Sequence, residues 1–368
     1  MKKVAILGST GSIGTQALDV MRRYPDKLKV HSLAAYSNTE KLAEQCREFS
    51  PQYSALISVD GEECLTAAVK SCDVALVATR GICALESILY CLDNGIDVAL
   101  ANKEALVCGG ELIMSKLSES ESKLFPVDSE HYAISQCLKG RDSNSLKKIL
   151  LTASGGPFWE ENKGDLRLIS AARALRHPNW NMGAKITVDS ATMMNKALEV
   201  IEACHLFNLD ADKIQIVVHR QSIVHSMAEF VDGSVIAQMS LPDMRLPIQS
   251  ALLGETGGAF VQNVDFERLL TLTFEKCDFD KFPCARLGYE IFDYAPLCAT
   301  VMNSANDACV EKFLQGRLSF ADFYNIITRT VERFQNQCKD FDVTVENIRK
   351  FDKLAEEYAK QLIDGDIC

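Results

Sequence analysis

The sequence predicts an α/β protein: an N-terminal doubly wound parallel sheet, then an α/β segment with an open sheet, then an all-helical C-terminal stretch. Three observations carry this expectation. Short apolar runs alternate with helical patterns from Val4 to about Leu100, as βαβ units do. The first run passes straight into a glycine-rich turn, GSTGSIG at 8–14. Beyond about Phe279 the pattern is helical to the end, with amphipathic segments near Tyr289, Asn306–Leu314, Phe320–Arg333 and Val345–Leu362.

Composition narrows the class. At 368 residues the chain exceeds what one core organises, so two or three domains are expected. With 47% apolar and 24% charged residues it reads as an ordinary globular protein. A net charge of −11 without a long run of Lys or Arg argues against nucleic acid as the main partner. The longest apolar runs are strand-sized, and none approaches a membrane span. MKKVAILG enters the first strand at once, so no signal or transit peptide is expected, and a bacterial cytoplasm is the expected location. Fourteen cysteines without a CxxC pair read as reduced thiols, not as a zinc site or disulfide framework.

Val4–Leu7 is the first strand, and the helix after it runs through Ala17, Leu18, Val20 and Met21. Between them Gly8, Gly11 and Gly14 give a GxxGxxG spacing, with Thr10, Ser12 and Ile13 in the same turn. Glycine lets backbone approach a pyrophosphate, whose charge then meets a helix N-terminus. Any tight βα turn also favours glycine; here the repeated strand-helix pattern supports a Rossmann-like dinucleotide site. The second strand, Val30–Ala35, ends in Ala-Tyr-Ser-Asn with no carboxylate for a ribose hydroxyl. Ser37 and Asn38 suit a 2′-phosphate instead, which favours NADP over NAD, although no Arg stands there to clamp it. Strands over Ala55–Val59, Val74–Ala78 and Val98–Leu100, with a helix over Ala84–Asn94, complete the sheet.

Asn102, Lys103 and Glu104 follow the strand Val98–Leu100, at the carboxyl end where ligands bind in such sheets. The competing reading is a helix N-cap by Asn102. In LFPVDSEH, Asp128 and Glu130 are two apart, and on an extended segment both face one side. Two carboxylates so placed repel each other, which a hard divalent cation resolves. A solvated turn capped by Asp128 competes with that, and Glu199 is the expected third oxygen donor.

The stretch His177–Glu202 contains a helix from about Thr192, apolar over most of its circumference and therefore expected to be buried. Asn195 and Glu199 lie at i, i+4 on it with Lys196 beside them, and Asp189 and Ser190 are expected at its N-terminus. A narrow polar seam on a buried helix suggests a lined cavity, and a free helix N-terminus suits a phosphate. A solvent-facing stripe with a capping serine is the alternative. Ile149–Thr152 reads as a strand ending in Ser154 and two glycines, a second phosphate contact and hinge. About 157–182, with Trp159 and Trp180, reads as a lid or else as disordered; as a lid, its far end, His177 and Trp180, could close over a ligand, and an ordinary surface histidine is the competing reading of His177. Ile214–Val218 and a hairpin of Met227–Val231 with Ser234–Gln238, turning at Asp-Gly, supply further strands, and Leu246–Leu253 is helical. The expected division is 1–128 for the nucleotide, 129–253 for metal and substrate, a linker at 254–279, and helices at 280–368 for packing.

GSTGSIG at 8–14, ANKE at 101–104, PVDSEH at 126–131, SGGPF at 154–158, HPNWNMGAKITVDSATMMNK at 177–196 and LPDMRLPI at 241–248 together resemble the 1-deoxy-D-xylulose 5-phosphate reductoisomerase family. FPC at 282–284 and NSAND at 303–307 resemble its last domain. The resemblance implies a homodimeric enzyme that uses NADPH and Mg²⁺, Mn²⁺ or Co²⁺. It would convert 1-deoxy-D-xylulose 5-phosphate to 2-C-methyl-D-erythritol 4-phosphate in non-mevalonate isoprenoid synthesis. Carried over by motif, Gly8, Thr10, Gly11, Ser12, Ile13 and Gly14 would meet the NADPH pyrophosphate region. Ser37 and Asn38 would meet the 2′-phosphate, and Asn102, Glu104 and Gly183 the rest of the cofactor. Asp128, Glu130 and Glu199 would hold the metal, and the two glutamates would also face the substrate. Ser154, Ser190, Asn195 and Lys196 would cradle the substrate phosphate. Lys103, Ser129 and His177 would contact the sugar, with Trp180 and Met182 on the lid; Lys103, Glu130 and His177 would be the catalytic groups. Tyr36, Arg220 and Asp307 depart from the family pattern, which usually has Gly, Pro and Glu there. Three other readings compete: a semialdehyde or homoserine-type NADPH reductase, an NADP-sensing protein without turnover, and a protein-docking scaffold.

Overall fold

The structure, a computed structural model, describes residues 1–176, 180, 182–254, 261–268 and 271–365. Of the expected site residues, His177 lies outside the described set. The chain divides into two compact units. One comprises Met1–Ala105, Glu111–Lys139 and Met239–Asp265; the other comprises Leu106–Gly110, Gly140–Gln238 and Phe266–Cys368.

The first unit is built on a six-stranded sheet: β1 (Lys2–Leu7), β2 (Leu28–Ala35), β3 (Tyr53–Leu56), β4 (Val74–Val77), β5 (Asp97–Leu100) and β6 (Leu124–Pro126). Their order is β3-β2-β1-β4-β5-β6 and every pairing is parallel, the doubly wound arrangement that the alternating runs predict. Val4 lies opposite Val30 on one side and Val74 on the other. Val4–Leu7 are fully buried, as strands covered by helices on both faces must be. The helix Ser12–Arg23 lays Ala17, Leu18, Val20 and Met21 on the sheet. The helix Arg245–Leu253, far away in sequence, adds Ile248, Ala251 and Leu252 to the same core. Each fully buried Leu or Ile there stabilises by about 1.5–3 kcal/mol relative to exposure. The third strand ends at Leu56, short of the expected Val59, because Asp60 turns back to accept a hydrogen bond from Leu56 N at 2.8 Å.

The second unit holds a mixed five-stranded sheet of β7 (Leu146–Ala153), β8 (Ile214–Val218), β9 (Val224–Phe230), β10 (Val235–Met239) and β11 (Glu275–Lys276), in the order β10-β9-β7-β8-β11. The hairpin at Asp232-Gly233 is present, with Phe230 N bonded to Ser234 O at 2.9 Å. Three long helices, Leu297–Leu314, Phe323–Cys338 and Val345–Asp364, form the helical end. The first is buried almost all round, and the last buries Ile348, Phe351, Ala355, Ala359 and Leu362 at helical spacing.

Two local expectations are corrected. Asp128 and Glu130 do not lie on an extended segment: Asp128 is the N-cap of the helix Ser129–Leu138, and Glu130 falls in its first turn. A helix N-terminus favours carboxylates, and that preference outweighs the extended alternation. Likewise Asp189 and Ser190 do not start the seam helix. They belong to a preceding helix, Ala184–Thr192, and the chain breaks at Met193, whose φ of 63° is left-handed, before Met194–Phe207 begins.

Candidate active site

In the first unit the glycine turn forms a cradle. Gly8 has φ +93°, and a Cβ built on it would lie 2.4 Å from Ala78 O; one on Gly14 would lie 2.4 Å from Gly8 O. Only glycine permits this closeness. Gly11 is the N-cap of the helix Ser12–Arg23 and makes no side-chain cap bond, and no acid stands in the first turn. The backbone N–H groups at Ser12 and Ile13 therefore stand at a helix start whose own cap and first turn carry no carboxylate, which fits a pyrophosphate. Thr10 O accepts Lys41 Nζ at 2.9 Å. Ser37 and Asn38 are exposed after the second strand, and Asn38 caps the next helix by accepting from Lys41 N at 3.1 Å. Lys41, one turn into the helix after Asn38, therefore adds a cation beside the glycine turn that residues 35–38 alone do not show.

Asn102 takes the capping role. Its side-chain oxygen accepts from Ala105 N at 2.7 Å, and its amide nitrogen donates to Thr79 O at 2.7 Å and Gly81 O at 2.8 Å. It is 1% exposed, so its side chain fixes the ends of two neighbouring strands. That places Lys103 and Glu104 at the helix start. Lys103, buried, forms an ion pair with Asp128, which follows the adjacent strand β6. Adjacent parallel strands deliver their carboxyl ends side by side, so these two groups meet although 25 positions separate 103 from 128. Ser129 Oγ donates to Glu130. Oxygen donors of this kind fit a hard divalent cation.

In the second unit the seam is buried as expected. Glu199, 1% exposed, accepts hydrogen bonds from Asn195 Nδ2 and Lys196 Nζ. Lys196 Nζ also donates to Thr152 O at 2.6 Å, which ties the helix to the end of strand β7. Ser154 follows that strand. A Cβ on Gly156 would lie 2.7 Å from Ser190 O, so the Ser154 loop lies directly against the helix that carries Ser190. Arg220 donates to Ser154 O and, at 2.7 Å, to Gly156 O. Gly183 caps the helix Ala184–Thr192, Met182 is half-buried, and the Trp180 ring meets His225 edge-on at 6.2 Å. Trp159 turns elsewhere: it stacks on Phe282 at 5.7 Å and donates from Nε1 to Glu275 at 3.1 Å.

A second polar cluster, unanticipated from sequence, braces the Ser190 helix. Asn306 Nδ2 donates to Asp189 Oδ1 at 2.9 Å, and Lys185 pairs with Asp189 at 3.1 Å and Asp307 at 3.3 Å. Its members lie in two motifs separated by more than a hundred residues, so no local pattern joins them.

The strand order and the glycine cradle at its first turn define the class: a dinucleotide-binding α/β protein. Comparison makes this specific. Two models of the 1-deoxy-D-xylulose 5-phosphate reductoisomerase C-terminal domains match 124–207 and 239–358, and the reductoisomerase model itself matches 4–71 and 56–110. The chain is 43% identical to the 1-deoxy-D-xylulose 5-phosphate reductoisomerase of Thermoanaerobacter pseudethanolicus, covering 98% of this chain and 100% of that one. It is 44% identical to the Clostridium beijerinckii enzyme over 97% and 98%. Among solved structures, a DOX-P reductoisomerase in complex with NADPH, fosmidomycin and magnesium superposes with a TM-score of 0.92 at 35% identity, covering 99% and 98%. The Zymomonas mobilis enzyme in complex with NADPH gives 0.88 at 34%, covering 99% of each chain. The chain belongs to the 1-deoxy-D-xylulose 5-phosphate reductoisomerase family.

Proposed function

We propose that this chain is an NADPH- and divalent-metal-dependent enzyme that isomerises and reduces 1-deoxy-D-xylulose 5-phosphate to 2-C-methyl-D-erythritol 4-phosphate, a step of non-mevalonate isoprenoid synthesis. The observation that carries this reading is Glu199: a carboxylate 1% exposed, gripped by Asn195 and Lys196 on one buried helix, in a chain that matches the family from end to end. Burying such a charge is costly unless it is paired and hydrogen-bonded, and Lys196 and Asn195 supply that pairing, which holds the carboxylate in place for a ligand.

In this reading Asp128, Glu130 and Glu199 hold the cation, with Mg²⁺, Mn²⁺ and Co²⁺ the candidates. Gly8, Thr10, Gly11, Ser12, Ile13 and Gly14 receive the NADPH pyrophosphate, Ser37 and Asn38 its 2′-phosphate, and Glu104 and Gly183 its remainder. Asn102 acts there through the strand ends that it fixes. When bound, the cation supplies Lewis acidity toward neighbouring substrate oxygens, and NADPH supplies the hydride. The chain's own groups bind and orient. Ser154, Ser190, Asn195 and Lys196 seat the phosphate, whose binding energy is then available to position the reacting carbons. Lys103 and Ser129 contact the sugar, and Lys103, buried beside Asp128, places a proton donor where negative charge develops. His177, Trp180 and Met182 close the site and exclude water. A homodimer in the cytoplasm follows from the same resemblance; among the described residues no helix is long and apolar enough to cross a membrane.

The test follows NADPH absorbance with purified protein and 1-deoxy-D-xylulose 5-phosphate, first with a chelator, then with Mg²⁺ or Mn²⁺ restored. Oxidation only with metal is the expected result. Cofactor binding without turnover under any metal would overturn the assignment.

A further inference from the structure

We infer that Arg220 is a positioning residue for the substrate-phosphate loop: one guanidinium nitrogen gathers the carbonyls of Ser154 and Gly156 and so sets the loop that presents Ser154. This rests on reading Ser154 as a phosphate contact. The geometry is particular. Gly155 and Gly156 have φ of +75° and +67°, two consecutive left-handed residues. Such a pair turns the chain so that the carbonyls on either side of Gly155 reach the same Nη1. Gly156 N in turn donates to Ser154 Oγ at 3.2 Å, so the serine hydroxyl is oriented by the backbone that Arg220 holds.

A loop with two adjacent glycines has the most backbone freedom to lose when it orders around a ligand. Charge-assisted hydrogen bonds to two of its carbonyls remove that freedom before the ligand arrives. A second cation completes the fastening, since Lys281 donates to Trp159 O at the far end of the same stretch. Burial pushes the Lys281 ammonium below its ordinary range and the nearby Arg220 charge adds to this, against the opposing carboxylates of Asp278, Glu161 and Glu160. Proline, which the family resemblance puts at 220, has no side-chain donor, so the arrangement belongs to this chain's own sequence.

The full-length enzyme with NADPH and Mg²⁺ decides the matter through three constants: the KM for 1-deoxy-D-xylulose 5-phosphate, kcat, and the inhibition constant of inorganic phosphate as competitor. In Arg220→Met the KM and the phosphate inhibition constant should rise together by about tenfold, with kcat within about twofold and NADPH affinity unchanged, as expected when the two bonds that pre-set the loop are lost and the ligand must order it. Arg220→Lys should recover part of the loss, because an ammonium reaches the carbonyls without the guanidinium's fixed fork. It also serves as the deciding variant if Arg220→Met does not fold. Unchanged KM and phosphate inhibition in either folded variant would overturn the inference. So would a fall in kcat, NADPH affinity and melting temperature together at constant KM. A wild-type enzyme that turns over nothing and ignores phosphate would instead remove the phosphate seat itself.

Discussion

Asn306 donates from Nδ2 to Asp189 Oδ1 at 2.9 Å, joining a helix of the C-terminal region to the helix that carries Ser190. Both side chains are buried, at 0% and 1% exposure, so neither has water to fall back on. Asn306→Ala should lower stability by about 1–3 kcal/mol, the cost of leaving a buried acceptor short of a donor. Urea unfolding of the two proteins checks this. A loss below 0.5 kcal/mol would show that the Lys185 pair alone satisfies Asp189.

Glu199→Gln keeps the shape of the seam and removes its charge. Metal-dependent turnover should fall by at least about a hundredfold, while the dissociation constant of NADPH stays within about threefold. Mn²⁺ titration by calorimetry should show the accompanying loss of metal affinity. Loss of NADPH binding as well would mean that Glu199 supports the fold more than the metal.

Gly14→Ala should harm both stability and cofactor binding. The added methyl would sit 2.4 Å from Gly8 O and 2.5 Å from Ser9 Cα, backbone atoms that yield only by moving the turn. An overpacking cost of about 1–3 kcal/mol is expected, together with at least about tenfold weaker NADPH binding. Thermal unfolding and fluorescence titration read the two effects separately.

Acid should loosen the second unit through His219. The ring is fully buried; Nδ1 meets Thr273 O at 2.8 Å, and Nε2 accepts from Ile223 N at 3.2 Å, a pairing that only the neutral ring satisfies. Burial holds its pKa below the ordinary 6.5, against a smaller opposing effect from the Thr273 carbonyl. The unfolded chain therefore takes up the proton first. The stabilisation is complete above the free-histidine value and is lost as the pH falls through it toward the lower folded value. The contribution should fall by at most about 1.4 kcal/mol per pH unit below about 6.5. Melting temperatures across that range, compared with His219→Gln, test it: the variant's profile should be flatter.

Much of this architecture was legible because it is local. The strands up to Leu100, the glycine turn, the hairpin at Asp232-Gly233 and the buried Asn195-Lys196-Glu199 seam all follow from spacing within a few residues. At Asp128 two local rules compete. The Asp-Ser-Glu order is equally a helix start, and the helix forms with Asp128 at its N-cap position and Glu130 in its first turn, although the Asp128 carboxylate makes no capping bond and pairs with Lys103. Met193 gives no warning of its left-handed backbone, since methionine has no intrinsic preference for it. Arg220 and Lys41 act on carbonyls 66 and 31 positions away, and no periodicity encodes such reach.

The first core is completed by Ile248, Ala251 and Leu252, which close on Ala17, Leu18 and their neighbours. A ribosome releases Leu18 more than two hundred residues before those partners. At about 5–20 residues per second, the part of the core that the late helix covers stays open for on the order of ten seconds. Production of this protein should therefore be sensitive to elongation rate and to chaperones that shield such surfaces. A chain stopped before position 245 would expose a lasting aggregation surface, however complete its glycine turn.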